Sequence, residues 1–252
     1  PFDNWDVWKE FRALPIEEQL HKLKTDPALK QKLIDIADKP YEGPEIVGAE
    51  ARPPEWDMFY YMDKIRLPHP SVAEIGRERG LSPAAAMIEL AIENDFKAFF
   101  RQPLANENQD DALALMKHPR STVTFSDSGA HVSQIMDSSL QTHLLSHWVR
   151  EREAFTLEEA VRMITYETST NWGFHDRGLL REGLTADITV FNPDTVEPRM
   201  PEVVHDLPSG SKRLKQYADG MLATVVAGQV VLKENEHTGA LPGQLLRGPL
   251  AR

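Results

Sequence analysis

The chain has 252 residues, enough for one large domain or two modest ones, and its 41% hydrophobic and 27% charged residues are ordinary for a globular protein. A formal net charge of −11 argues against non-specific association with nucleic acid or anionic membrane, and no apolar run approaches the roughly 20 residues of a membrane-spanning helix. Cysteine is absent, so no disulfide or thiolate metal ligand comes from this chain, which fits a reducing, cytoplasmic setting.

No charged-then-apolar leader opens the chain, and it begins on Pro1 rather than Met, so its start is expected upstream. Residues 1–56 are charged and helix-rich. Pro15 with Glu17 and Glu18 marks a helix start, and Leu20, Leu23, Leu29, Leu33, Ile34 and Ile36 recur at about helical spacing. Asp26-Pro27 splits this run in two, with Asp26 as N-cap of the second helix. Residues 39–56, holding four prolines and two glycines, read as a loop or extended arm. Ser71-Val-Ala-Glu74 is a capping-box pattern ahead of a short helix ending near Gly80. Ser82-Pro83 opens another, with Ala86, Ile88, Leu90 and Ile92 on its apolar side.

Residues 97–104 read as a short strand running into a loop. Asp110 to Lys117 reads as a helix ended by His118-Pro119-Arg120, and the β-branched and aromatic residues 121–125 as a second buried strand. Ser138 to His147 has helical character, and Thr156 with Glu159 caps a helix through about Thr165. From Gly183 the pattern turns to strands. Ala186–Phe191 alternates, Asn192-Pro193-Asp194 turns, and 222–232 makes a hairpin about Ala227-Gly228. The stretch 239–248 is rich in turns, and no segment repeats.

The stretch Thr122–His131 is the most informative chemically. A strand ends in Ser126-Asp127, and a glycine loop leads on to His131. In barrel enzymes the C-terminal ends of strands face the active site. A carboxylate there, beside a metal-bound water, takes its proton and passes it to the leaving group. Alone, an Asp after a strand is a common turn residue. The segment Asp176–Pro193 changes that balance, with its Gly183-Leu-Thr-Ala186-Asp187, an apolar strand and an Asn-Pro turn.

With Asp26–Leu33, His118–Arg120, Ser126–His131, His147–Arg152, Val204–Gly210 and Thr238–Gly243, the chain resembles the N-acyl-D-amino-acid deacylases of the metal-dependent amidohydrolase superfamily. The resemblance covers nearly its whole length. It implies an α/β fold, the C-terminal part of a (β/α)₈ TIM-like barrel with a helical insertion over 1–181. The C-terminal strands of a small β-sandwich and a tail follow over 182–252. It also implies one or two zinc ions and hydrolysis of N-acylated D-amino acids by metal-bound hydroxide. The family's strand-8 aspartate falls on Asp127, as general acid/base and metal neighbour. The histidine after the glycine loop falls on His131, which shapes the substrate pocket. Asn106, following the strand over 97–104, sits where a barrel-top loop hydrogen-bonds substrate.

The family's H-x-H metal pair is absent, because no two histidines are one residue apart. The remaining ligands belong to upstream strands, so zinc is expected to be held mostly by residues outside this chain. The expected partners are a small N-acyl amino acid and either a companion N-terminal chain or a second copy. The alternatives are a non-catalytic fragment or assembly partner, and an amidohydrolase of cyclic amides. His143 and His147 share a helix face but lack the acid of a metalloprotease pair, so His147 with Trp148 is expected to pack against the barrel wall. His118 reads as a helix-end cap and His69 as a surface-loop residue, with the resemblance offering as its alternative a place in the family's lid region near substrate. Asp110 and Asp111 read as helix-start acids, Asp137 as an N-cap and Asp187 as structural.

Overall fold

The computed structural model describes residues 2–43, 53–124, 126–128, 132–134 and 137–247. By contact the chain divides into two units, Pro1–Asn108 and Gln109–Arg252. The expected change from helices to strands at 181/182 falls inside the second.

The first unit opens with helices α1 (Asp6–Arg12), α2 (Ile16–Thr25) and α3 (Pro27–Ala37). Asp26 ends α2 and starts α3, its carboxylate accepting the Leu29 N–H at 2.9 Å. Pro27 follows where a missing N–H costs nothing. Strand β1 (Tyr60–Met62), helices α4 (Val72–Arg79) and α5 (Pro83–Glu93) and strand β2 (Phe99–Arg101) complete the unit. Ahead of α4 the capping box forms as expected. The Ser71 hydroxyl accepts the Glu74 N–H at 3.1 Å, and the Glu74 carboxylate accepts the Ser71 N–H at 2.7 Å. The donating Ser71 N–H, aided by the Ser71 hydroxyl, holds the Glu74 carboxyl below its usual range. Gly80 closes the helix at φ 67°, the left-handed conformation a helix end requires. The core gathers Trp8, Phe11, Leu33, Ile34, Val72 and Ile88. Phe2 stacks on Trp8 at 4.4 Å, and the Trp8 indole donates to the Leu33 carbonyl at 3.0 Å, satisfying that ring's one buried polar atom.

The strand expected over 97–104 shortens to β2 and pairs antiparallel with β1, Tyr60 opposite Arg101 and Met62 opposite Phe99. The strand expected over 121–125 joins no ladder over its described residues 121–124. Among the described residues every strand pair is antiparallel, which differs from the parallel pairing of a barrel. A parallel neighbour must be carried alongside by a crossover of about a dozen residues or more. The β1 edge lies within the same unit and takes the backbone groups of β2 instead.

The second unit begins with α6 (Gln109–Lys117). Helix α7 (Leu140–His143) continues as a wider π-helix over Leu144–Glu151. Helix α8 (Leu157–Arg162) runs through π-helical Met163–Glu167 into α9 (Thr168–Asn171). Thr156 and Glu159 form the second expected capping box. Leu144, Leu145, Trp148, Phe155, Ala160 and Val196 make the core.

Eight short strands follow: β3 (Ile188–Phe191), β4 (Glu197–Pro198), β5 (Glu202–Val204), β6 (Arg213–Lys215), β7 (Ala218–Asp219), β8 (Met221–Val226), β9 (Gln229–Lys233) and β10 (Glu236–His237). One sheet runs β10-β9-β8-β3, while β4 pairs with β7 and β5 with β6. The β8–β9 hairpin turns on Ala227-Gly228 with φ 47° and 78°, matching the strand twist. Asp187 anchors this turn, as its structural reading anticipates. One carboxylate oxygen accepts the Ala227 N–H at 2.8 Å, and the other pairs with Arg177. No described helix is long and apolar enough to cross a membrane.

Candidate functional site

The segment carrying Asp127 leaves α6 through His118-Pro119-Arg120. His118 Nδ1 accepts the Arg120 N–H at 3.2 Å, which fixes the turn after the helix rather than capping its last carbonyls as expected. Ser121 N–H then donates to the His118 carbonyl at 2.9 Å. Beyond it, the N–H groups of Thr122, Val123 and Thr124 find no partner among the described residues. Side chains of α9 do the holding. The Thr168 hydroxyl donates to the Val123 carbonyl at 2.6 Å and shares its proton with the Met163 carbonyl at 2.8 Å. The Asn171 amide donates to the Thr122 hydroxyl at 2.5 Å. A short polar turn follows, with the Ser126 and Ser128 hydroxyls 2.9 Å apart.

Asp127 stands between those serines, exposed, with φ 58°. Aspartate tolerates this left-handed conformation better than most residues. Among the described residues no hydrogen bond or ion pair engages its carboxylate. Asn106 has the same backbone character, exposed at φ 60° in the loop after β2. Asn106 belongs to the first unit and Asp127 to the second. His131 lies outside the described residues. Thr168 and Asn171 escaped the sequence reading, and their only trace there is two hydrogen-bonding side chains three residues apart.

The other histidines have structural surroundings. His143 and His147 stack with ring centroids 4.9 Å apart, and His147 Nδ1 meets the Glu151 carboxylate at 3.1 Å. Trp148 beside them is buried in the core of the second unit, with the Arg152 guanidinium 5.0 Å above its ring. His69, read from its flanking prolines as a surface-loop residue, is buried instead at 7% exposure. Its Nε2 lies 2.9 Å from the Lys64 carbonyl, which gives the ring a partner inside the fold. Burial lowers its pKa, the Lys64 contact opposing that only in part.

Among the described residues no three or more His, Cys, Asp or Glu side chains converge to hold a metal ion. The donor set described here therefore does not fit the zinc centre that the resemblance implies.

Residues 63–232 match the model of the amidohydrolase family, a span containing Asn106, Asp127 and His131. An N-acyl-D-aspartate deacylase of Alcaligenes xylosoxydans xylosoxydans is 31% identical over 168 residues, 66% of this chain and 28% of that protein. An N-acyl-D-glutamate deacylase of the same organism is 32% identical over 157 residues, 54% of this chain and 28% of that one. The chain thus spans less than a third of the length of the curated relatives it matches. A crystal structure of a D-aminoacylase aligns with 69% of this chain and 34% of its own at 24% identity and a TM-score of 0.44, too loose to carry a statement about shape.

Proposed function

This chain belongs to the amidohydrolase family, in a D-aminoacylase-like branch of it, and we propose that it takes part in metal-dependent hydrolysis of the amide bond of N-acyl-D-amino acids. On this reading residues 1–181 are the C-terminal part of an amidohydrolase barrel with an inserted helical segment, and 182–252 are a β-sandwich portion and C-terminal tail. The chain supplies part of an active site in the cytoplasm. The missing N-terminal part, in a longer chain or a companion polypeptide, supplies the rest, and one or two zinc ions are ligated mostly by residues outside this segment. The 28% share of each relative's length that the chain covers supports this division.

Amide hydrolysis adds water to the acyl carbon, breaks the C–N bond and delivers a proton to the departing amine. Asp127 is the group for that transfer, taking the proton from water and returning it to nitrogen. One observation carries the assignment: within the family match, the Asp127 carboxylate is exposed and without a partner among the described residues, on a segment pinned by α9. A carboxylate already paired with a cation would have to break that pair before moving a proton. In the same proposal Asp127 neighbours the metal, His131 shapes the substrate pocket, and Asn106 hydrogen-bonds the substrate.

Zinc content and hydrolysis of a panel of N-acetyl-D-amino acids, measured on the chain alone and after co-purification with the rest of the domain, test this reading. Both should appear together once the rest is supplied. A complete, zinc-loaded protein inert toward every N-acyl-D-amino acid would end it.

A further inference from the structure

A cleft of about 880 Å³ opens in the second unit, within the size range of small-molecule sites. The end of α6 and the turn after it form one side, and α8, α9 and the π-helical turn between them form the other. Asp127 does not line it. Its apolar surface comes from Met116, Phe155 and Met163. Its charged groups are unevenly matched. Of the lining acids, Glu167 pairs with Arg162 at 2.9 Å, while Glu159 accepts the neutral Thr156 N–H at 2.8 Å and keeps its charge in the cleft. Three donors remain. Lys117 Nζ stands 5.4 Å from the centre of the Phe155 ring, and neither it nor the Arg120 guanidinium has an acid partner among the described residues. His118 accepts at Nδ1 from Arg120 N–H, so its neutral ring carries the proton on Nε2 and offers a third donor.

Among the described residues the lining cations Lys117, Arg120 and Arg162 outnumber the acids Glu159 and Glu167, an excess of positive charge that is unexpected on a chain with formal net charge −11. Placed beside an apolar surface, they call for a ligand with an anionic head and an apolar body. We infer that this cleft binds an amphiphilic carboxylate, its head at Lys117, His118 and Arg120 and its tail along Met116, Phe155 and Met163. Thr122 and Asn171, which tether the Asp127 segment, also line the cleft, but the inference stands whether or not Asp127 is catalytic.

Calorimetric titration of the chain with sodium octanoate tests it. Octanoate should bind saturably. Octanamide, with the same tail and no charge, should bind at least about tenfold more weakly, and so should inorganic phosphate, which has charge and no tail. Lys117→Ala/Arg120→Ala changes two exposed side chains and should weaken octanoate about tenfold while leaving the unfolding midpoint in place. The inference is overturned if octanamide or phosphate binds as tightly as octanoate, if the double variant binds unchanged, or if octanoate shows no binding up to about 10 mM.

Discussion

The Thr168 hydroxyl lies 2.6 Å from the Val123 carbonyl and donates to it, and this bond does for residues 121–124 what a neighbouring strand would do. The segment is β-branched and half-buried, so its backbone groups need partners that no ladder provides here. Thr168→Val keeps the side chain's shape and removes the donor. It should cost about 1 kcal/mol, read as a lower urea midpoint. Trypsin should also cut faster after Arg120, because the segment opens more readily. An unchanged midpoint with unchanged cleavage would show that other contacts hold the segment.

A second prediction contrasts two glycines of the strand region. Both have positive φ, 71° at Gly220 and 78° at Gly228. A Cβ on Gly220 would stand 2.5 Å from the Val196 nitrogen, a backbone atom that cannot swing aside, whereas one on Gly228 meets nothing within 4 Å. Gly228→Ala should cost about 1 kcal/mol for its backbone conformation alone. Gly220→Ala adds the clash and should cost about 2–4 kcal/mol. Equal losses in chemical denaturation would mean that the β4–β7 region yields to the intruding methyl.

Buried His69 sets a pH dependence. Burial lowers its folded-state pKa below the ordinary 6.5, so the unfolded chain takes up the proton first as pH falls. Its stabilisation is complete above about pH 6.5 and declines as pH drops through that value toward the folded pKa. Between pH 7.5 and 5.5 the wild type should therefore lose more melting temperature than His69→Gln does. Parallel losses in the two proteins would assign the acid sensitivity to other groups.

Local chemistry was legible wherever one residue suffices to dictate it. Asp26 as a shared helix boundary, both capping boxes, the left-handed Gly80 and the Ala227-Gly228 turn all follow from residue type and spacing, and all form. Strand partnership was not legible in this way. Residues 97–104 read as a strand but not as one paired antiparallel to Tyr60–Met62, because register depends on which edge lies nearby. His69 misled for a similar reason, since flanking prolines mark a loop but do not say what folds over it. At the candidate site the sequence pointed to Asp127. It was silent on the α9 side chains that hold the segment, because a tether between residues 45 apart leaves no local pattern.

The most direct measurement is turnover of N-acetyl-D-amino acids by the complete amidohydrolase with and without Asp127→Asn, with zinc content determined on the same samples. The expected result is a variant that keeps its zinc and loses about 10²- to 10⁴-fold in kcat, the range for removing a general acid/base. A variant that keeps both zinc and turnover would contradict the role assigned to Asp127.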